Sequence, residues 1–285
     1  MLKLPGRGTV TGRLLRTPHA VFGFTVILLI ALAAVFADHL IPYDSEAMDF
    51  DSLLDGLSLA HPLGTDQLGR DTLSRLILGS RVAMQVSVGA VSLGVAIGVP
   101  LGLFAAMRGG WVDDVIMRVM DAVVVFPSLL VAVALAAALG NSLGTVVLAI
   151  GIANVPWLAR IVRSQALGLR GLDFVAAAVA SGTPPLKIML RHILPNSLAP
   201  VIVQTTLGMG YAVLTEAALS FIGVGIQPPT PTWGNMLQAA FPMLEQQPLL
   251  SVVPGVAIFV LVLAFNLLGD ALRDILDPRL RNVVQ

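Results

Sequence analysis

Long apolar runs alternate with short polar ones along the chain, and this alternation predicts its elements. The first run, Ala20–Ala37, is just long enough to span a bilayer, since ~20 helical residues cross the hydrocarbon core. Five more follow: Val82–Met107, Val115–Leu139, Leu143–Val162, Ser197–Ile222 and Leu250–Leu268. The pattern predicts an all-α integral membrane protein with six transmembrane helices. The first run lacks a small-residue cleavage site and reads as a retained span, not a signal peptide. In the second run Gly89, Gly94, Gly98 and Gly102 recur every four or five residues. Such a stripe lets helices approach closely, and packing explains it better than ligand contact. Phe126-Pro127 predicts a kink in the third run. Pro156-Trp157 sits towards the inner end of the fourth. Two acids lie within runs: Asp121, near the inner end of the third, and Glu216 in the fifth.

The polar segments assign sides. Residues 1–18 hold Lys3, Arg7, Arg13 and Arg16 and no acid, which marks the cytoplasm. Asp38–Ser80 holds eight acids against Arg70 and Arg75, a balance of minus six that suits the outer face. On this topology 14 of the 17 Lys and Arg residues lie inside and Arg70, Arg75 and Arg81 outside, so both termini are cytoplasmic. Within the outer segment, Gly64-Thr65-Asp66 predicts a turn and a helix starts at about Asp71. Asp38–Arg81 is therefore expected to be an ordered docking or gating element, although Asp38–Asp55 by itself suits a solvated acidic linker. Gly223–Leu249 returns outside without Lys or Arg. Its Gln227–Leu237 stretch is stiffened by three prolines and is expected to pack over the outer mouth. Gly269–Arg281 reads as a short amphipathic cytoplasmic tail. The chain divides into residues 1–81 (tail, first span, outer loop), 82–270 (five-helix core, including a cytoplasmic loop at 172–195) and 271–285 (tail).

One polar stretch stands apart, Asp173–Asn196, too polar and too proline-rich to span. Ala176–Ala180 favour helix. Gly182 can end that helix in a left-handed conformation. Thr183-Pro184-Pro185 then break the chain, Leu186–Leu194 resume an amphipathic run, and Pro195 is expected to stop it. The residues alone allow either a helix-turn-helix on the membrane surface or an ordinary interfacial loop.

Composition narrows the classes. Hydrophobic residues make up 56% and charged residues 12%, about half the charge of a soluble domain. The formal net charge is zero, so nothing points to nucleic acid. The absence of cysteine excludes disulfides and thiolate metal sites, and the four histidines are scattered. No metal or cofactor is expected. No GxxxxGK[ST] motif occurs, so the chain is not itself an ATPase.

Asp173–Asn196 resembles the cytoplasmic signature loop of permease subunits in bacterial ABC importers. Ala177, Ala178, Gly182, Leu194 and Pro195 fall in register with that signature, while Ala176 stands where the family usually has Glu. His61–Asp71, Gly98–Leu103, Phe126-Pro127-Ser128, Arg191–Asn196, Glu216–Leu237 and Ala264–Arg281 likewise resemble the dipeptide/oligopeptide/nickel branch, in particular its second, C-type permease. The resemblance covers nearly the whole chain after residue 20. It implies the type I importer architecture, a bacterial inner-membrane location and alternating access. The implied partners are a second, different permease, two ATP-binding-cassette ATPases, an extracytoplasmic substrate-binding protein and the lipid bilayer. It assigns Asp173, Ala176, Ala177, Ala178, Gly182, Leu194 and Pro195 to an ATPase-coupling loop. Asp173, three residues before Ala176, could take over the contact of the missing Glu. Glu216 receives a gating or conformational role. A secondary, ion-coupled carrier is the alternative; it calls for inverted repeats and charge relays, for which Asp121 and Glu216 are the available residues. An intramembrane enzyme finds no HExxH, GxSxG or paired-Asp motif in the spans.

Overall fold

The computed structural model describes residues 12, 14 and 16–276, and the regular elements among them are helices. Lys3, Arg7, Arg13, Arg279 and Arg281, used above to assign sides, lie outside the described residues. In chain order the helices are α1 (Pro18–Val35), α2 (Ala37–Leu40), α3 (Thr72–Arg108), α4 (Gly110–Val125), α5 (Ser128–Leu139), α6 (Leu143–Arg170), α7 (Asp173–Ala180), α8 (Pro185–Ile188), α9 (Leu194–Phe221), α10 (Trp233–Ala240) and α11 (Leu249–Leu276). A π turn, Met189–Ile193, joins α8 to α9 without a break. Local chemistry sets several of the starts. Asp71 caps α3 by accepting from Ser74 N, Ser142 caps α6 through Thr145 N, and Thr232 and Asn235 form a capping box on α10.

Five helical runs are long and apolar enough to cross a membrane: α1, α3, α6, Pro185–Phe221 and α11. The sixth candidate is the pair α4 and α5, apolar enough together but meeting at 87°. The Phe126-Pro127 break is thus much sharper than a kink. Both residues are extended, with ψ of 122° and 131°. The residue before a proline is driven out of the helical region, and the proline offers no N–H to bridge the gap.

Several boundaries move for related reasons. The second span and the helix expected from Asp71 are one 37-residue helix. The fourth span runs on to Arg170, and the last helix continues through most of the expected C-terminal tail to Leu276. Pro195 does not stop the helix before the fifth span. The π turn lets Leu194 N bond back to Met189 O, five residues away, and the widened turn accommodates a proline at the start of α9. The surface pair of helices is therefore one free helix, α7, followed by a cytoplasmic extension of the α9 span.

The core is built on α3 and α6, which run parallel. A Cβ on Gly98 would lie 2.8 Å from Val155 O, and one on Gly102 would lie 2.3 Å from Ala159 O. Gly89 and Gly94 face Val147 and Asn154 in the same way, so the glycine stripe is a packing seam. α9 packs on this pair and on α11, and α1 lies outermost against α11 and α3.

Two charge pairs join α4 to α6. Arg163 makes a bidentate contact with Asp113 at 2.5 Å, and Arg160 meets Asp121 at 2.7 Å. Asp121 is thus paired with Arg160 at the inner end of the fold, its side chain more exposed than buried. Arg170 donates to the Ala106 carbonyl and closes the inner ends of α3 and α6.

Candidate functional site

The cytoplasmic loop begins where α6 ends at Arg170. Leu172 precedes the N-terminus of α7, and Asp173 occupies its first position, where a negative charge meets the positive end of the helix dipole. Ala176 and Ala177 are exposed, and Ala178 is half-buried. After Ser181 the chain reverses at Gly182, with φ of +71°. Gly182 N donates to Val179 O at 2.9 Å, and Thr183 N donates to Ala178 O at 3.1 Å. These two bonds make a Schellman stop, and the reversal needs a residue without a Cβ penalty. Pro184-Pro185 then launch α8.

Three side chains hold this loop to the core. Val175, Ile188 and Ile193 are buried in one cluster with Val99, Leu103, Leu158 and Val162, at the inner ends of α3 and α6. Among the described residues nothing covers the opposite face. Val179 is 61% exposed and Leu186 62%, and Leu172, Phe174 and Leu190 are also exposed. A Cβ built on Gly182 meets no described residue within 4 Å. The structure thus gathers Asp173, Ala176, Ala177 and Gly182 on an uncovered, mainly apolar surface, with Ala178 turned partly inward. Leu194 and Pro195 stand apart, Leu194 against the cluster and Pro195 in the first turn of α9.

Glu216 is not part of this surface. It lies near the outer end of α9, 22 residues beyond Leu194, or roughly 30 Å along the helix axis. It is buried, and Ser220 Oγ donates to its Oε1 at 2.7 Å. Ile226 N donates to Ser220 Oγ at 3.2 Å. Thr232 begins the capping box of α10. Glu216 therefore fixes Ser220, which in turn receives the loop after α9, and Gly234 of α10 packs against Ala217 and Ser220 beside it. Trp233 extends this junction: its Nε1 donates to Leu76 O at 3.0 Å, and its ring packs where Gly79 leaves room on α3.

The outer loop is folded. Gly64 and Gly69 have positive φ, and a Cβ on Gly69 would lie 1.8 Å from Asp49 O. Asp66 accepts from Leu68 N, Arg70 N and Arg70 Nε. Asp71 pairs with His61 Nδ1 at 2.9 Å. Thr65 N donates to Asp55 O and Leu54 N to Asp66 O, so the acidic half of the segment is part of the same fold and not a solvated linker. Arg81 grips Asp38 with two bonds of 2.8 and 3.0 Å and also donates to Ala34 O, which clamps α1 to α3. Gln247 Nε2 reaches Leu54 O at 3.1 Å and ties the loop to the segment before α11.

The charge pairs of α4 and α6 and the Glu216 junction are the contacts that sequence reasoning missed. Arg160 and Arg163 were visible as cytoplasmic markers. Their spacing of three, against Asp113 and Asp121 two turns apart, was the available signal.

Five apolar helices and one bent pair, with a folded outer loop and an exposed inner loop anchored to the core, define a multi-pass membrane protein. Comparison with known proteins makes the class specific. The family described as binding-protein-dependent transport system inner membrane component matches residues 98–282, and the N-terminal TM domain of oligopeptide transport permease C matches residues 9–62. The chain belongs to the first of these families: it is an ABC importer permease of the bacterial inner membrane, not an enzyme. It is 42% identical over 271 residues to the glutathione transport system permease protein GsiD of Pectobacterium atrosepticum, covering 95% of this chain and 90% of that protein. It is 43% identical over 263 residues to the dipeptide transport system permease protein DppC of Alkalihalophilus pseudofirmus, covering 92% and 86%. Its fold is shared with a chain of the inward-facing MetNI methionine ABC transporter, with a TM-score of 0.58 at 16% identity, over 70% of this chain and 96% of that one. None of these findings favours the ion-coupled carrier.

Proposed function

We propose that this chain is the C-type permease of an importer for di- or oligopeptides or a related small solute such as glutathione or a nickel chelate. The names of the relatives, one a glutathione and one a dipeptide permease, support that cargo class. Its partners are a second, different permease, two ATPases bound at the inner face and a substrate-binding protein that docks outside. The observation that carries the coupling role is the surface around Gly182: apolar, uncovered, and fixed to the inner ends of α3 and α6 by Val175, Ile188 and Ile193. Closure of the ATPases pushes on Asp173, Ala176, Ala177 and Gly182. The buried anchors pass that motion to the α3–α6 pair, and the continuous helix through Leu194 and Pro195 passes it to α9. Glu216, through Ser220, braces the loop that leads from the far end of α9 to α10, so that movement at the inner face is felt at the outer one. The folded loop between Asp38 and Arg81 serves as the outer docking and gating element.

Uptake of labelled dialanine, a longer peptide and glutathione, in cells with and without this chain, tests the reading. ATP-dependent uptake of at least one, lost on deletion and restored by the chain, is expected. Unchanged uptake of all three on deletion removes the peptide class.

A further inference from the structure

The break between α4 and α5 opens onto a groove of about 650 Å³, walled by α6 and α9. Phe126 and Pro127 form its rim, and Asn154, Trp157, Gln204 and Tyr211 line it. No Asp, Glu, Lys, Arg or His is among its lining residues. Three features make it more than an apolar gap. The last carbonyls of α4 lose their helical partners at Phe126-Pro127, and at membrane depth such backbone persists only where protein buries it or water reaches it. Asn154 Nδ2 is spent on Ile150 O at 2.9 Å, which leaves Oδ1 beside Gly208. A Cβ on Gly208 would lie 3.7 Å from that oxygen, so the missing side chain keeps the amide open to the groove. Gln204 adds a second amide one turn before Gly208 on the same wall. Arg160 stands over the Trp157 ring, 5.9 Å from its centroid, and is held by Asp121, so the inner edge is charged while the groove is not.

We infer that this groove is the chain's share of the cargo path, and that Asn154 and Gln204 hydrogen-bond the amide groups of a passing peptide-like solute. The inference rests on the permease reading above and adds the residues that meet the cargo. Its size suits a small solute. Two neutral amides recognise peptide bonds without selecting side chains and release them without breaking an ion pair. Aromatic Trp157 and Tyr211 offer surface to varied side chains.

The chain has no cysteine, so single cysteines can be read cleanly on it. Ala153→Cys and Gln204→Cys place thiols in the groove; Leu29→Cys and Phe259→Cys place them on exposed apolar faces of α1 and α11. Each variant is assembled with its partner permease and ATPases in proteoliposomes. A membrane-impermeant thiosulfonate is applied with and without binding protein loaded with dialanine or glutathione, and modification is measured on this chain alone. Groove thiols are expected to react at least tenfold faster than the controls, and transported cargo to slow them severalfold. Rates equal to the controls overturn the inference, because the groove is then sealed by the second permease or by lipid. Fast reaction without protection by a solute that is being transported overturns it as well. If the unmodified importer takes up neither dialanine nor glutathione, the cargo reading fails, and accessibility still decides whether the groove is a water-filled path.

Discussion

Replacing Gly182 separates a helix stop from a coupling contact. Its φ of +71° costs a residue with a Cβ about 1–2 kcal/mol. Against that stand Val175, Ile188 and Ile193, each fully buried side chain worth about 1.5–3 kcal/mol, or roughly 5–9 together. The anchors exceed the strain, so Gly182→Arg leaves the loop on its cluster. Among the described residues nothing lies within 4 Å of the new Cβ, so the variant meets no clash with them. Membrane level and pairing with the second permease are therefore expected to be normal, while ATPase copurification and cargo-stimulated ATP turnover fall at least tenfold. Gly182→Asn, which tolerates the left-handed conformation, retains more of both. Copurified ATPase, ATP turnover and uptake are measured on the same preparations. Full uptake by Gly182→Arg refutes the assignment of this loop as the coupling element.

Three further outcomes follow from the geometry. Glu216→Gln retains substantial uptake, because an amide oxygen still accepts from Ser220; Glu216→Leu strands the Ser220 hydroxyl and costs about 1–3 kcal/mol in thermal stability, and loss of transport by Glu216→Gln with normal assembly and ATP turnover would instead indicate a chemical role. Asp173→Ala lowers affinity for the ATPases if its carboxylate replaces the missing signature Glu, and an unchanged affinity leaves it only its place at the start of α7. The Arg81 guanidinium, bonded to Asp38, holds that carboxyl below its ordinary range. The Asp38–Arg81 part of the clamp is therefore present at neutral pH and is lost only as the pH falls through that depressed value. Limited proteolysis across the outer loop should show protection down to that point, and Asp38→Asn should abolish the pH dependence.

What was legible in the sequence were features that one stretch of chain determines. Apolar length marked the spans, the arginine bias marked the sides, and the glycine stripe marked the α3–α6 seam. Gly182 ended a run of alanines ahead of two prolines, which pointed to its left-handed turn. Features set by distant residues were not legible. Arg163 and Asp113 are 50 residues apart, and only the packing of α4 on α6 makes them a pair. The π turn at Met189–Ile193 leaves no periodic trace in five residues, so Pro195 reads as a stop although a wider turn accommodates it. The groove belongs to no single segment: its amides come from α6 and α9 and its rim from the α4–α5 break. The resemblance placed the signature residues on one loop, while the buried anchors Val175, Ile188 and Ile193 emerged from the fold.

The central claim is that the loop around Gly182 meets an ATPase. Val179 is exposed in that surface and the chain has no cysteine of its own, so Val179→Cys provides a single reporter. The assembled importer is treated with a short thiol-reactive crosslinker, with and without ATP, and the adducts of this chain are separated by mass. A single major adduct with the ATPase, its yield changing with nucleotide, is the predicted result. An adduct with the second permease alone, or none under conditions where a cysteine elsewhere in the chain crosslinks efficiently, contradicts the account.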